Sequence, residues 1–253
     1  MSTKPSVALF LVGICSLISE ASAAAKVVLA DHSAAATGLF NNMRTPAALI
    51  GGSIVPLGIL SAPIVESNDN SRAILLKKTN MLLAIASLLN EVIAITYSSV
   101  AVNKIAELTF PPTEGVAQYI EQYHQLAWVG TNVHFLFGLF GFACLTISKP
   151  YLLYGKNIGD AAACWIVAAM AMCIAIVNRG ISMGYGSARG EDLSLKFADN
   201  LFGLVVTYVQ LLVEWSSGNI LPWTSLGFIF LSFVPMRRAW LATRSMEGGE
   251  KEE

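Results

Sequence analysis

Between Asn200 and Met236 the chain carries one formally charged residue, Glu214. The stretch Asn200 to Ser217 sets its small and polar residues at Asn200, Gly203, Thr207, Gln210, Glu214 and Ser217. Steps of 3, 4, 3, 4 and 3 draw one continuous line along a helix, with Leu, Phe, Val and Trp over most of the remaining surface. A carboxylate inside an apolar span is costly and normally faces protein or a water-filled cavity rather than lipid. A helix of this kind needs neighbours inside a bilayer, and the other apolar segments can be read by whether they supply them.

The charge content fits a membrane chain. Of 253 residues, 55% are hydrophobic and 13% charged, against about a quarter charged in ordinary soluble domains. A net charge of −1, with no basic run interleaved with aromatics, gives no ground for nucleic-acid binding. Cys15, Cys144, Cys164 and Cys173 all lie in apolar stretches, a pattern of small packing residues rather than a disulfide framework or metal spacing.

Residues 1–25 read as a targeting segment: Lys4 as the positive start, Val7 to Ile18 as the apolar run, Ala21-Ser22-Ala23 as the cleavage site. Residues 26–45 are Ala-rich and weakly amphipathic, predicting an interfacial segment ahead of a polytopic domain over 46–244. The residues after 244 form an acidic tail expected to be disordered. Entry through a secretory-type signal points to an endomembrane or plasma membrane, with an organelle membrane as the other option.

Six spans are predicted, over 46–65, 81–102, 126–147, 161–183, 200–217 and 223–236. The first opens with Thr45 as N-cap and Pro46 at its first position, and Pro56 should kink it; a re-entrant hairpin is the alternative. Gly51, Gly58 and Ala62 suit close helix contact there, on a face that a neighbour could use. The second span aligns Ser87, Glu91, Ala94, Ser98 and Ala101. A helical pattern then runs from Glu114 to Ile147, 34 residues or roughly 50 Å, with Tyr119, Tyr123 and Trp128 suited to the headgroup zone. Its line holds Ala127, Thr131, His134, Gly138 and Gly141, and Lys149-Pro150 should stop it. Asp160 reads as the N-cap of the fourth span, whose line is Cys164, Ala168, Ala171, Ala175, Asn178 and Ser182.

Four spans with small or polar lines of period near 3.5 predict an all-α integral membrane protein whose core is an antiparallel four-helix bundle of spans two to five. Counting about 1.5 Å per residue from the face shared by the 103–125 and 184–199 loops places Glu91, His134 and Gln210 at one depth, about 12 to 16 Å in. Glu214 falls deeper, while Thr131, Asn178 and Thr207 fall nearer that face. Ionisable groups at such depth mark a cavity or proton relay. The competing reading is a set of inter-helix hydrogen bonds that only fix packing.

Other chemistry lacks its residues. Of three histidines, His124 and His134 share one helix, so a haem held between two spans has no second ligand. No pair of Glu-x-x-His motifs exists for a di-iron site, and no zinc ligand set or catalytic serine or cysteine with an obvious base is present. One pigment or porphyrin on His134 or Glu91 is the single cofactor option. Two functions are therefore expected: a non-catalytic accessory, assembly or structural subunit packed against other membrane helices, or a small carrier or channel using Glu91, His134 and Glu214.

Overall fold

The computed structural model describes residues 29–67, 69–183, 200–216 and 220–249, and the side chains of 178–183, 239–240 and 242–249 are not among those described. The targeting segment, the glycine-rich 184–199 loop and the last four residues lie outside this set. The described chain is helical, with a single isolated bridge pairing Ala30 and Thr113. Four helices are long and apolar enough to cross a membrane: Ser33–Leu60, Ser71–Glu107, Gln125–Tyr154 and Lys156–Val177. A shorter apolar helix follows at Leu201–Ser216.

The first of these, α1, covers Ser33–Ile54 and runs on through a π-helical turn, Val55–Leu60. It begins well before Pro46, so much of the segment expected at the interface belongs to the helix itself. Thr45 is no cap: its hydroxyl donates to the Asn41 carbonyl one turn back, at 3.1 Å. Ala36, Phe40, Ala47, Gly51 and Ile54 are buried along one side, and this stripe holds the helix together across the proline. Pro56 lies in the wider π turn, where no reversal of the chain occurs, and the re-entrant alternative is set aside. The Ser61 hydroxyl closes the turn by donating to the Pro56 and Leu57 carbonyls.

The longest helix, α2, spans Ser71–Glu107. Asn70 caps it by accepting from the Ala73 N–H at 2.8 Å, and Lys104 stands in its last turn, where the carbonyl end favours a cation. Its buried residues include Asn80, Ala84, Ser87, Glu91, Ala94, Ser98, Ala101 and Ile105, in alternating steps of 4 and 3. Leu82, Ile85, Leu89, Val92, Ile93 and Val100 are exposed on the other sides. That inversion, small inside and aliphatic outside, is what a helix shows when lipid rather than water is its solvent.

A short helix, α3 (Val116–Tyr123), is separated from α4 (Gln125–Tyr154) by His124, whose backbone leaves the helical region at φ −139°. The unbroken helix expected from Glu114 is thus two, and the aromatic packing around His124 described below holds the corner. Pro150 does not end α4; the chain continues to Tyr154 and stops at Gly155, the one described glycine at positive φ, +79°. Then come α5 (Lys156–Met183), α6 (Leu201–Ser216) and α7 (Leu221–Gly249). Asp160 lies within α5 rather than at its start, and α7 extends into the stretch read as a tail.

The core is built on α2 and α4, which run antiparallel in steady register. Asn80 donates to Ser148 at 2.6 Å, Ala84 and Leu145 share a buried cluster, Ser87 packs at Gly141, and Tyr97 packs at Gly130. On the side of α1, Gly58 meets Ala84 and Leu145, while Gly51 meets Glu91 and Leu88. The larger buried cluster, nearer α3, gathers Phe40, Ala101, Ile105, Tyr119, Ile120, Trp128, Val129, Val133 and Leu204. Tyr119 and Trp128 are therefore buried in the protein interior.

Two expected faces are turned. The line Cys164, Ala168, Ala171 and Ala175 on α5 is exposed; the less exposed side of α5 carries Gly159, which meets Tyr151 of α4, with Ile166, Met170 and Ile174 half-buried. The tight core consequently includes α1, whereas α5 lies to one side against α4 and α6. On α6, Leu201, Leu204, Tyr208 and Leu211 pack on the core cluster, so the apolar side and not the polar line faces inward.

Candidate functional site

The polar groups that do converge lie where α2, α4 and α6 meet. His134 of α4 has its Nδ1 2.8 Å from Asn90 Oδ1 and its Nε2 2.7 Å from the Tyr208 hydroxyl. Tyr208 lies 3.3 Å from the Tyr97 hydroxyl of α2, and the Tyr97 ring stacks on the imidazole with centroids 6.1 Å apart. The direction of the chain follows from Asn90. Its amide nitrogen donates to the Ala86 carbonyl at 2.8 Å, which turns the amide oxygen toward His134 as an acceptor. His134 then donates from Nδ1 and accepts at Nε2 from Tyr208, which in turn accepts from Tyr97. Every member is neutral and partnered, an arrangement that ties three helices together in a medium without water.

Glu91 stands next to this network and is unlike it. It is fully buried, at 0% exposure, and neither carboxylate oxygen has a hydrogen-bond partner. Gly138 makes the space: a β-carbon there would stand 2.6 Å from the Glu91 carboxyl carbon. The Ser87 hydroxyl, one turn earlier on α2, donates to the Gly138 carbonyl. The glycine thus admits a side chain across the α4 backbone and has its own carbonyl held by the same helix.

The remaining sequence candidates are scattered. Thr131 is buried but bonds its own helix, donating to Ala127 at 2.7 Å. Thr207 is half-buried, and Gln210 and Glu214 are exposed on the outer side of α6. Gln210 therefore does not share a site with Glu91 and His134; Tyr208, two positions earlier, occupies that role. The Asn178 side chain is outside the described set. Gly51, Gly58, Gly138 and Gly141 lie at crossings within the chain, against Glu91, Ala84, Glu91 and Ser87 respectively, and Ala62 is half-buried just past the π turn. The Gly51–Gly58 face is thereby used internally rather than offered to another protein. Asn90, Tyr97 and Tyr208 are not among the sequence candidates. The signal was present for two of them, since Asn90 and Tyr97 are seven apart and so share one side of α2.

A second cluster lies at the end of the bundle near α3. Phe110, Tyr119 and Phe40 surround His124, with ring centroids 5.2, 5.7 and 6.2 Å from the imidazole. Burial, with Lys104 adding to it, holds the His124 imidazole below its usual range. Burial also pushes the Tyr119 hydroxyl up, with Asp31 and Tyr123 acting in the same direction. Between α4 and α6 an apolar groove of 510 Å³ is lined by Val133, Leu136, Phe137 and Phe140 with Leu201, Phe202 and Val205.

Among the described residues no group of three or more His, Cys, Asp and Glu side chains converges as a metal site would require. Both ring nitrogens of His134 are engaged, so a pigment or porphyrin could be ligated there only by displacing Asn90 or Tyr208. No family model, curated protein or solved structure matches this chain.

Proposed function

We propose that this protein is a non-catalytic membrane subunit, an accessory, assembly or structural component that packs against the helices of other membrane proteins. One observation carries the reading: the small-residue line of α5, Cys164, Ala168, Ala171 and Ala175, is exposed in steps of 4, 3 and 4. Lines of this kind let helix backbones approach closely, and lipid tails gain little from them. The apolar part of α7 supports the same reading, with Phe228, Phe230 and Leu231 each more than 60% exposed. In this reading α6 and α7 complete six crossings, and the chain enters the membrane through its N-terminal signal. The test is purification in mild detergent followed by size analysis and identification of co-purifying chains. An associated partner lost in Ala168→Leu and Ala171→Leu supports the proposal; a strictly monomeric particle with no partner sinks it.

The unpartnered burial of Glu91 favours a second reading, a small carrier with a protonatable interior. His134 counts against it, being satisfied by neutral partners, as does the exposed position of Glu214 on α6. Proton flux into liposomes, compared with Glu91→Gln, decides; no flux in either protein removes this reading.

A further inference from the structure

The polar network of His134 accounts for itself, but Glu91 does not. Its side chain is shut between Gly51 of α1, which meets its β-carbon, and Gly138 of α4, which faces its carboxyl, with no donor for either oxygen. Among the described residues no basic group faces it from a packed element. Helix α1 brings Gly51, with Arg44 seven residues away. From α4 come Gly138 and, one turn earlier, His134, whose nitrogens are both engaged. Tyr208 of α6 and Tyr97 of α2 are bonded to one another and to that imidazole. Helix α7 carries no charged residue from Leu221 to Met236, and the nearest charges along α2 itself are Lys78 and Lys104, thirteen residues to either side.

Packing this close accommodates a neutral carboxyl. It has nothing to offer a carboxylate, because an unpaired charge in a low-dielectric interior loses its hydration without compensation. A helix interface is also bistable, so a group tolerated in only one charge state biases which arrangement is occupied.

We infer that Glu91 is a proton-binding site that governs helix packing: with its proton bound, α1 and α4 close on α2 at Gly51 and Gly138, and release of the proton parts them at that level. The step balances without a further reactant. The carboxylic O–H bond breaks, the proton passes to water entering the gap, and the carboxylate remains hydrated there. Ser87 and the Gly138 carbonyl separate in the same movement, while the His134 network, which joins α2 to α4 through Asn90 and carries no charge in either state, confines the parting to the level of Gly51 and Gly138.

The experiment uses the full chain in lipid vesicles, with infrared difference spectra and amide hydrogen exchange followed over a pH series for the native protein and Glu91→Gln. The expected result is a protonated-carboxyl band that Glu91→Gln lacks and that disappears as pH rises. Over the same interval exchange at 135–141 should rise by about tenfold in the native protein and stay level in the variant. If Glu91→Gln fails to fold, Glu91→Met supplies the same comparison with a side chain that cannot titrate. Absence of the band, its persistence until the protein unfolds, or an equal rise in exchange in native and variant proteins overturns the inference.

Discussion

Tyr208 donates its hydroxyl to His134 Nε2 across the α4–α6 contact at 2.7 Å, and this bond fixes which side of α6 faces the bundle. The helix turns its polar line, Gln210 and Glu214 included, away from the core in order to make it. A single phenol thereby outweighs a longer run of polar residues. Its partner nitrogen is oriented by Asn90 of α2, so the direction of the acceptor does not rest on α6.

Tyr208→Phe keeps the ring and removes the donor. It should lower stability by about 0.6 to 1.7 kcal/mol, the range for inter-helix hydrogen bonds in membranes. Asn90→Ala, which frees His134 to rotate, should show less than additive loss when combined with it, as expected for residues in one network. Equilibrium unfolding in mixed micelles measures both; strict additivity would mean that the two bonds act independently.

Gly138 and Gly52 should respond oppositely to alanine. At Gly138 a β-carbon collides with the Glu91 carboxyl, and overpacking of this kind costs about 1 to 3 kcal/mol. At Gly52 a β-carbon meets nothing within 4 Å, and Gly52→Ala should stabilise by up to about 1 kcal/mol through helix propensity. Glu91→Ala should recover part of the loss in Gly138→Ala, because it removes the colliding atoms. Thermal unfolding of the four variants tests the set.

His124 is held in its neutral form by burial, which gives the fold a pH dependence of known sign. The unfolded imidazole binds its proton near about pH 6.5, and the folded one binds only at lower pH. Between those values the unfolded state carries more protons, so stability is whole above about pH 6.5 and falls as pH drops toward the folded value. Melting curves from about pH 7.5 to about pH 5 should show this decline, and His124→Gln should flatten it. An unchanged slope in the variant would assign the dependence elsewhere.

Lys77 fastens the turn between α1 and α2, donating to both Asp69 oxygens, at 2.9 and 2.7 Å, and to the Ile64 carbonyl at 2.8 Å. That hydrogen bonding holds the Asp69 carboxyl below its ordinary value, with the Glu66 backbone contact acting alongside. The contribution is present above the usual carboxylate range and is lost as pH falls through the lowered value. Lys77→Met should therefore raise proteolysis at residues 61–70 at neutral pH, while strong acid should bring the native protein to the same level.

The α2 line is legible in the sequence because lipid reverses the usual contrast: the aliphatic residues mark the outside, and Ser87, Glu91, Ala94 and Ser98 are left to mark the inside. The same rule misleads at α6. There Tyr208 reads as one more large lipid-facing side chain, although its hydroxyl and its ring both meet His134. The early start of α1 depends on Phe40 meeting Trp128 and His124, a contact between residues more than eighty positions apart that no local pattern encodes. The break at His124 likewise has no proline or glycine to announce it. His134 could be found as a buried polar residue, but its partners lie on two other helices, and only their docking identifies them.

The length of α2 has a kinetic consequence. Lys78 and Lys104, both exposed, flank Glu91 at equal distance, thirteen residues or about 20 Å along the helix on either side. Cations so placed suit the two interfaces of a bilayer, with the carboxyl midway between them along the helix. A proton at Glu91 therefore exchanges with bulk at the rate at which the helices part, so that the lifetime of the closed bundle, rather than acid–base chemistry, sets the clock for this group.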